Sequence, residues 1–118
     1  MELRIEYPKL VEAQKAVSPE LPNWDKTPPF LEAINLLSKN LKDTVEFIEQ
    51  DCTAKQLVWM SVIAVDVAGI LKDRRFTDAM RKASIKFAAE LVGYNVDECI
   101  ADAENKIEGE HENQRRIR

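Results

Sequence analysis

The 118-residue chain has one histidine, three glycines and two cysteines, and each shortage excludes a class of site. A single histidine, His111, provides no Ser-His or Cys-His nucleophilic pair and no zinc site of the usual kind. The three glycines are too widely spaced for a phosphate-binding loop. Cys52 and Cys99 lack Cys-x-x-Cys spacing, so free, partly buried thiols are expected. We therefore predict a non-enzymatic protein without a cofactor or a bound metal.

The chain also lacks a long uninterrupted apolar segment. The longest one, Leu57 to Leu71, has 15 residues and includes Asp66, whereas a membrane-spanning helix needs about 20. Its β-branched residues allow a buried strand as a second interpretation. The length of the segment and a capping Thr53 before it favour a buried helix over about residues 53–73. A helix that is apolar on every side must be enclosed by others, so we expect it at the centre of the fold.

The sequence on either side of this central helix predicts the elements that cover it. Residues 3–7 alternate between apolar and polar side chains, which indicates a short strand or extended arm. Four prolines make residues 18–29 a loop, in which Trp24 either anchors the loop to the bundle or forms part of an exposed binding surface. Apolar stripes and capping residues predict helices over residues 8–17, 27–51, 77–92 and 95–109. The expected fold is an all-α, compact helical bundle of four longer helices and one short N-terminal helix.

One domain is expected over residues 1–109, because a chain of this length can bury a sizeable core. Residues 110–118 are charged and have no apolar stripe, which predicts a flexible C-terminal tail. The first ten residues contain no secretion signal, so we expect a cytoplasmic location and no membrane association. A homodimer through the second or central helix is a further hypothesis, since five helices of this size leave part of the central one uncovered.

Three carboxylates suggest a divalent-cation site. Glu46 and Glu49 lie three residues apart on the second predicted helix, and Asp66 follows on the central one. In this arrangement the chain resembles the all-α nucleotide pyrophosphohydrolases of the MazG and dimeric dUTPase type, whose signature pairs Glu-x-x-Glu with Glu-x-x-Asp on the next helix. Ile63 stands where the glutamate of the second pair belongs, which removes one ligand. The resemblance implies a metal-dependent pyrophosphohydrolase as an alternative function, and a solvated helix face is the other interpretation.

Asp66 needs an explanation of its own. A lone carboxylate in an apolar segment costs several kcal/mol unless it is paired or hydrogen-bonded. We predict a buried polar residue that pairs with Arg74, Arg75 or Arg81, or with a backbone amide at the start of a neighbouring helix. A narrow exposed strip is the other form of this prediction. The alternative is an interface or functional residue with a perturbed pKa.

Charge is unevenly distributed along the chain. Residues 1–51 carry a net charge of −4, residues 52–93 of +3 and residues 94–118 of −3. The middle part contains a basic cluster, which consists of Arg74, Arg75, Arg81, Lys82 and Lys86. No aromatic platform or DNA-reading motif accompanies it, so pairing with acidic neighbours is favoured over phosphate binding. A nucleic-acid-associated regulator that uses this cluster stays an alternative, although the total charge of −4 argues against nucleic acid as the partner.

The last predicted helix has an acidic face that suits a basic protein partner. Together with Trp24, its carboxylates are the predicted partner-binding residues: Asp97, Glu98, Asp102, Glu104 and Glu108. Small size, acidity and the lack of catalytic groups lead to a function hypothesis. The chain is expected to be a bacterial or phage protein-binding module, most concretely an immunity or antitoxin type inhibitor that neutralises a basic, nuclease-like toxin.

Overall fold

The computed structural model describes the backbone of residues 3–116 and the side chains of residues 3–109. Within this part of the chain all regular structure is helical, which confirms the predicted all-α fold. Short 3₁₀ turns precede the second helix and follow the sixth. The helices are α1 (Leu3–Lys15), α2 (Pro28–Ser38), α3 (Leu41–Gln50), α4 (Ala54–Val62), α5 (Ala64–Leu71), α6 (Arg74–Lys86) and α7 (Val96–Arg116).

Helix α1 includes the residues 3–7 for which a strand or extended arm was predicted, and that prediction is wrong. The helix continues through Pro8, which removes one backbone hydrogen bond and costs about 3 kcal/mol in a helix interior. Each large apolar side chain that becomes fully buried contributes roughly 1.5–3 kcal/mol to stability. Burial of the three apolar side chains on the inner face of α1 therefore outweighs the energetic cost of the proline. The buried stripe of α1 is Leu3, Tyr7, Val11 and Gln14.

The predicted helix over residues 27–51 is divided into α2 and α3. Asn40 caps the second of these, since its side chain accepts a hydrogen bond from the Asp43 amide at 3.1 Å. The buried Thr44 hydroxyl donates to the Leu37 carbonyl at 2.7 Å, which satisfies a carbonyl at the end of α2. Local hydrogen bonds therefore favour a break at a place where the apolar stripe alone predicted continuity.

The central helix predicted over residues 53–73 is also two helices, and they meet at an angle of 72°. Its predicted start is confirmed, because Thr53 and Gln56 form a reciprocal capping box. The break lies at Ile63, which has φ −109° and ψ 9°. Helix α4 packs against α6 and α7, whereas α5 packs mainly against α7 and α2, so a single straight helix was the wrong prediction. Within residues 3–116, no helix by itself has the length and composition to cross a membrane, and only the bent α4–α5 pair taken together does.

Thr77 was the predicted N-cap of the helix over residues 77–92, but α6 begins four residues earlier, because Asp73 is its N-cap. The Asp73 carboxylate accepts a hydrogen bond from the Arg75 amide at 2.9 Å. Thr77 is buried inside the helix and donates to the Arg74 carbonyl at 3.1 Å. The helix ends at Lys86 rather than residue 92, and a 3₁₀ turn follows.

Helix α7 packs most extensively against α5, α6 packs against α3 and α7, and α1 packs against α2. A Cβ atom added at Gly69 in α5 would lie 3.2 Å from Cε of the Lys106 side chain in α7, so glycine leaves room for this side chain. The backbone of α7 continues past Gly109, where its end was predicted. The side chains from residue 110 onward, including His111, lie outside the described part, and the flexibility of residues 110–118 stays a prediction.

Candidate functional site

Charged side chains of α6 and α7 meet in a contact that we call the α6–α7 seam. Arg81 binds Glu104 through two hydrogen bonds, from Nε to Oε2 at 3.1 Å and from Nη2 to Oε1 at 3.0 Å. Its Nη1 atom lies 3.6 Å from Asp97 Oδ1, and Arg74 pairs with Glu108 at 3.1 Å. The hydrogen bonds from Arg81 lower the pKa of Glu104, although partial burial opposes this effect. The seam therefore holds three of the predicted partner-binding carboxylates in structural pairs.

The remaining basic residues of the predicted cluster are also engaged. Arg75 pairs with Asp73 at 2.9 Å, and Lys82 lies 3.4 Å from a carboxylate oxygen of Glu49. The Lys86 ammonium group lies 5.2 Å from the centroid of the Phe87 ring, within the range of a cation–π contact. Pairing with acidic neighbours, which the sequence favoured, thus occupies most of this basic cluster.

Two acidic residues of α7 point away from the seam. Glu98 and Asp102 are exposed and four residues apart, which places them on the same side of the helix. Within the described residues, neither forms an ion pair. We refer to these two residues as the outer face of α7, and it is the part of the predicted acidic surface that is left for a partner.

Asp66 is exposed, so the prediction of a buried polar residue is wrong, and its exposure agrees with the alternative, a narrow exposed strip. Arg74, Arg75 and Arg81, the partners proposed for it, pair with other carboxylates. The bend before α5 places Asp66 in the first turn of a new helix, where the helix dipole favours a negative charge and water solvates it. Its apolar neighbour Val65 is 38% exposed, so the apolar run does reach the surface here.

The carboxylate set of the resemblance to pyrophosphohydrolases is not assembled. Glu49 pairs with Lys82, and Glu46 and Asp66 are solvated on different helices. Among the described residues, no group of three histidine, cysteine, aspartate or glutamate side chains is placed to hold a metal ion. The geometry therefore does not support the ligand role that the resemblance implied for these three residues.

An aromatic depression, which we call the tryptophan hollow, lies between α1, α4 and the loop before α2. It has a volume of about 330 Å³. Trp24 contacts the buried Phe30 with ring centroids 5.3 Å apart, and Phe30 lies 6.2 Å from Trp59. Trp24 is half-buried, so it anchors the loop and also lines the hollow. A second hollow of about 600 Å³ shares Trp59 and extends to Tyr94.

Gln14 lines the tryptophan hollow and was not identified from the sequence. It is 1% exposed, and neither polar atom of its carboxamide has a hydrogen-bond partner among the described residues. Unpartnered polar groups of this kind are uncommon in folded proteins and call for an explanation. The sequence signal for its burial was its position on the buried stripe of α1. This stripe was not recognised, because the helix was predicted to begin only at Pro8.

The two cysteines are free thiols, as expected. Cys52 is buried, and burial raises the pKa of its thiol to about 12. A thiol with this pKa is protonated at neutral pH, so Cys52 does not act as a thiolate nucleophile. Cys99 is half-buried in α7.

Comparison with known proteins provides no relative from which a function could be transferred. The chain matches no protein-family model, no curated protein and no solved structure. The features that bear on function are therefore the α6–α7 seam, the outer face of α7 and the tryptophan hollow.

Proposed function

We propose that this protein is a non-enzymatic binding module of the immunity or antitoxin type, which binds a basic protein partner through the outer face of α7 and neutralises it. The observation that carries this proposal is the difference between the two charge clusters. The basic cluster is engaged within the fold, whereas Glu98 and Asp102 are exposed and form no ion pair among the described residues. The surplus negative charge is thus available to a partner of opposite sign.

Electrostatics favours a protein partner over nucleic acid. The chain has a net charge of −4, which repels phosphate backbones at long range and attracts basic surfaces. For the basic cluster to bind phosphate, its arginines would have to give up their pairs with Glu104 and Glu108. The nucleic-acid regulator therefore has less support than the inhibitor.

The test is a comparison of two charge-reversal variants. The first variant replaces Glu98 and Asp102 by lysine. The control variant replaces Glu32 and Glu46, which are also exposed, by lysine, so the two variants change the net charge equally. A partner is captured from cells with the wild-type chain, identified and purified. We expect the partner to be basic. It should associate at least about tenfold more slowly with the first variant than with the wild-type chain, because opposite charges increase the association rate of two proteins. The control should change the association rate much less.

The inhibitor assignment needs a functional readout as well. The captured partner is expressed in cells together with the wild-type chain or with each variant. Growth should be rescued by the wild-type chain and by the Glu32 and Glu46 control, and it should not be rescued by the α7 variant. An acidic partner, or equal binding by both variants, would falsify the proposal.

A homodimer stays a separate proposal. Leu31 of α2 and Val62 of α4 are 46% and 38% exposed, which supports contact through the second and central helical segments. Sedimentation equilibrium of the wild-type chain and of a Val62→Glu variant tests it. Wild-type protein that stays monomeric at concentrations of about 100 μM would rule it out.

A further inference from the structure

We propose that the tryptophan hollow binds a small, neutral, planar ligand whose edge carries a hydrogen-bond donor beside an acceptor, as in the cyclic amide of a pyrimidine base or lactam. Gln14, Trp24, Phe30 and Trp59 form the site. The proposal uses no residue of the outer face of α7. Its failure would leave the proposed protein-binding function intact.

The buried carboxamide of Gln14 is the first reason for this assignment. A carboxamide presents an acceptor oxygen beside a donor nitrogen, and both atoms lack a partner among the described residues. Burying such a group is unfavourable unless another molecule satisfies it. A cyclic amide offers the complementary donor and acceptor in one plane, so it can bind both atoms of Gln14 at once. This binding requires the side chain to turn towards the hollow, because neither polar atom is accessible in the unliganded fold.

The aromatic lining is the second reason. Phe30 is fully buried and contacts both tryptophans, whereas Trp24 and Trp59 are half-buried. Aromatic faces bind flat rings by stacking and edge contacts. A volume of about 330 Å³ is near the lower end of ligand sites, which suits one ring better than a folded peptide segment.

The charge of the lining favours a neutral ligand. Lys15 lines the hollow, and its ammonium group is paired with Glu12 at 2.9 Å. Apart from Lys15, Gln14 and the three aromatic residues, the lining residues are apolar: Val17, Pro19, Val58 and Val62. A charged ligand would lose its hydration here without gaining a free counter-charge.

The two tryptophans of the sequence, Trp24 and Trp59, both line the hollow, so intrinsic fluorescence reports on this site directly. Uracil is the probe, and 1,3-dimethyluracil is its control because methylation removes the N–H donors and keeps the ring. We expect saturable quenching by uracil and at least tenfold weaker binding of 1,3-dimethyluracil, a difference that corresponds to about 1.4 kcal/mol. Calorimetric titration provides a second readout.

Two variants test the role of the carboxamide. Gln14→Met keeps the length of the side chain and removes its polar atoms, and it should weaken uracil binding at least tenfold. Gln50→Met, which changes an exposed glutamine, is the matched control and should bind as the wild type does. Val62→Phe adds a ring at a partly exposed lining position without altering Gln14, and it should also weaken binding.

Each contrary outcome overturns the proposal. Absence of saturable quenching by uracil at concentrations of about 10 mM excludes binding in the useful range. Equal binding of uracil and 1,3-dimethyluracil, or of wild type and Gln14→Met, would show that the carboxamide does not recognise the ligand. Binding of toluene without binding of uracil would identify a plain apolar cleft.

Discussion

At the α6–α7 seam, charged side chains are partly exposed and have partners, whereas in the tryptophan hollow an uncharged carboxamide is fully buried and has none among the described residues. Water can solvate Arg81 and Glu104, which are 35% and 25% exposed, so their pairing mainly orients two helices. Water has little access to Gln14, and its burial reduces the stability of the fold. The seam is thus a polar contact that orients two helices, whereas Gln14 is a buried polar group that has no partner among the described residues.

The largest effect is expected at the base of the hollow. Phe30→Ala removes a fully buried ring that contacts both tryptophans, and it should lower the free energy of unfolding by about 3–5 kcal/mol. Urea denaturation followed by circular dichroism measures this change. A loss below about 2 kcal/mol would mean that the hollow is not continuous with the core.

The next effect has the opposite sign. Gln14→Met replaces an unsatisfied buried carboxamide by an apolar side chain of similar size, and it should raise the free energy of unfolding by about 1–3 kcal/mol. Gln50→Met changes an exposed residue and should leave stability within about 0.5 kcal/mol of the wild type. Chemical denaturation of both variants makes the comparison. A loss of stability in Gln14→Met contradicts the unsatisfied state of Gln14.

At the seam, Glu104→Gln should cost about 1 kcal/mol at neutral pH, since the pair with Arg81 is partly screened by water. The pKa of Glu104 is lowered in the fold, so its contribution is complete above the ordinary value of 4.5 and disappears as the pH falls through the lowered pKa. Stability curves against pH should therefore converge for wild type and Glu104→Gln below pH 4.5. Parallel curves would show that Arg81 does not stabilise the charged carboxylate.

The smallest effect is expected for a pair that is well exposed. The side chain of Lys82 is 73% exposed and lies 3.4 Å from Glu49. Lys82→Ala should change the free energy of unfolding by no more than about 0.5 kcal/mol. Thermal unfolding at low and high salt measures this difference. A larger loss of stability that depends on salt concentration would indicate that the Lys82–Glu49 pair and the α6–α7 seam stabilise the fold cooperatively.

Much of the fold could be predicted from the sequence because local signals and apolar stripes agree over most of the chain. Thr53 and Pro28 mark helix starts where the structure has them. The break at Asn40 has a local signal, a capping asparagine, but the continued stripe from Leu37 to Leu41 obscured it. The break at Ile63 has no such signal, since neither glycine, proline nor a capping side chain lies there.

The candidate site was less predictable from the sequence, because its contacts join residues that are far apart along the chain. Charges that are close in space but distant in sequence, such as Arg81 and Glu104, find each other only once α6 and α7 are in place. The exposure of Asp66 depends on the bend at Ile63, so the prediction of its burial failed together with that of a straight helix. Gln14 could have been found if the periodicity of α1 had been followed back to Leu3.

The packing of α5 against α7 has a consequence during biosynthesis. The apolar helix α5 ends at Leu71, and its cover extends at least to Ile107, a buried residue of α7. Until α7 has also left the ribosome, Val67 and Ala68 lack this cover and are accessible to any chaperone that binds apolar segments.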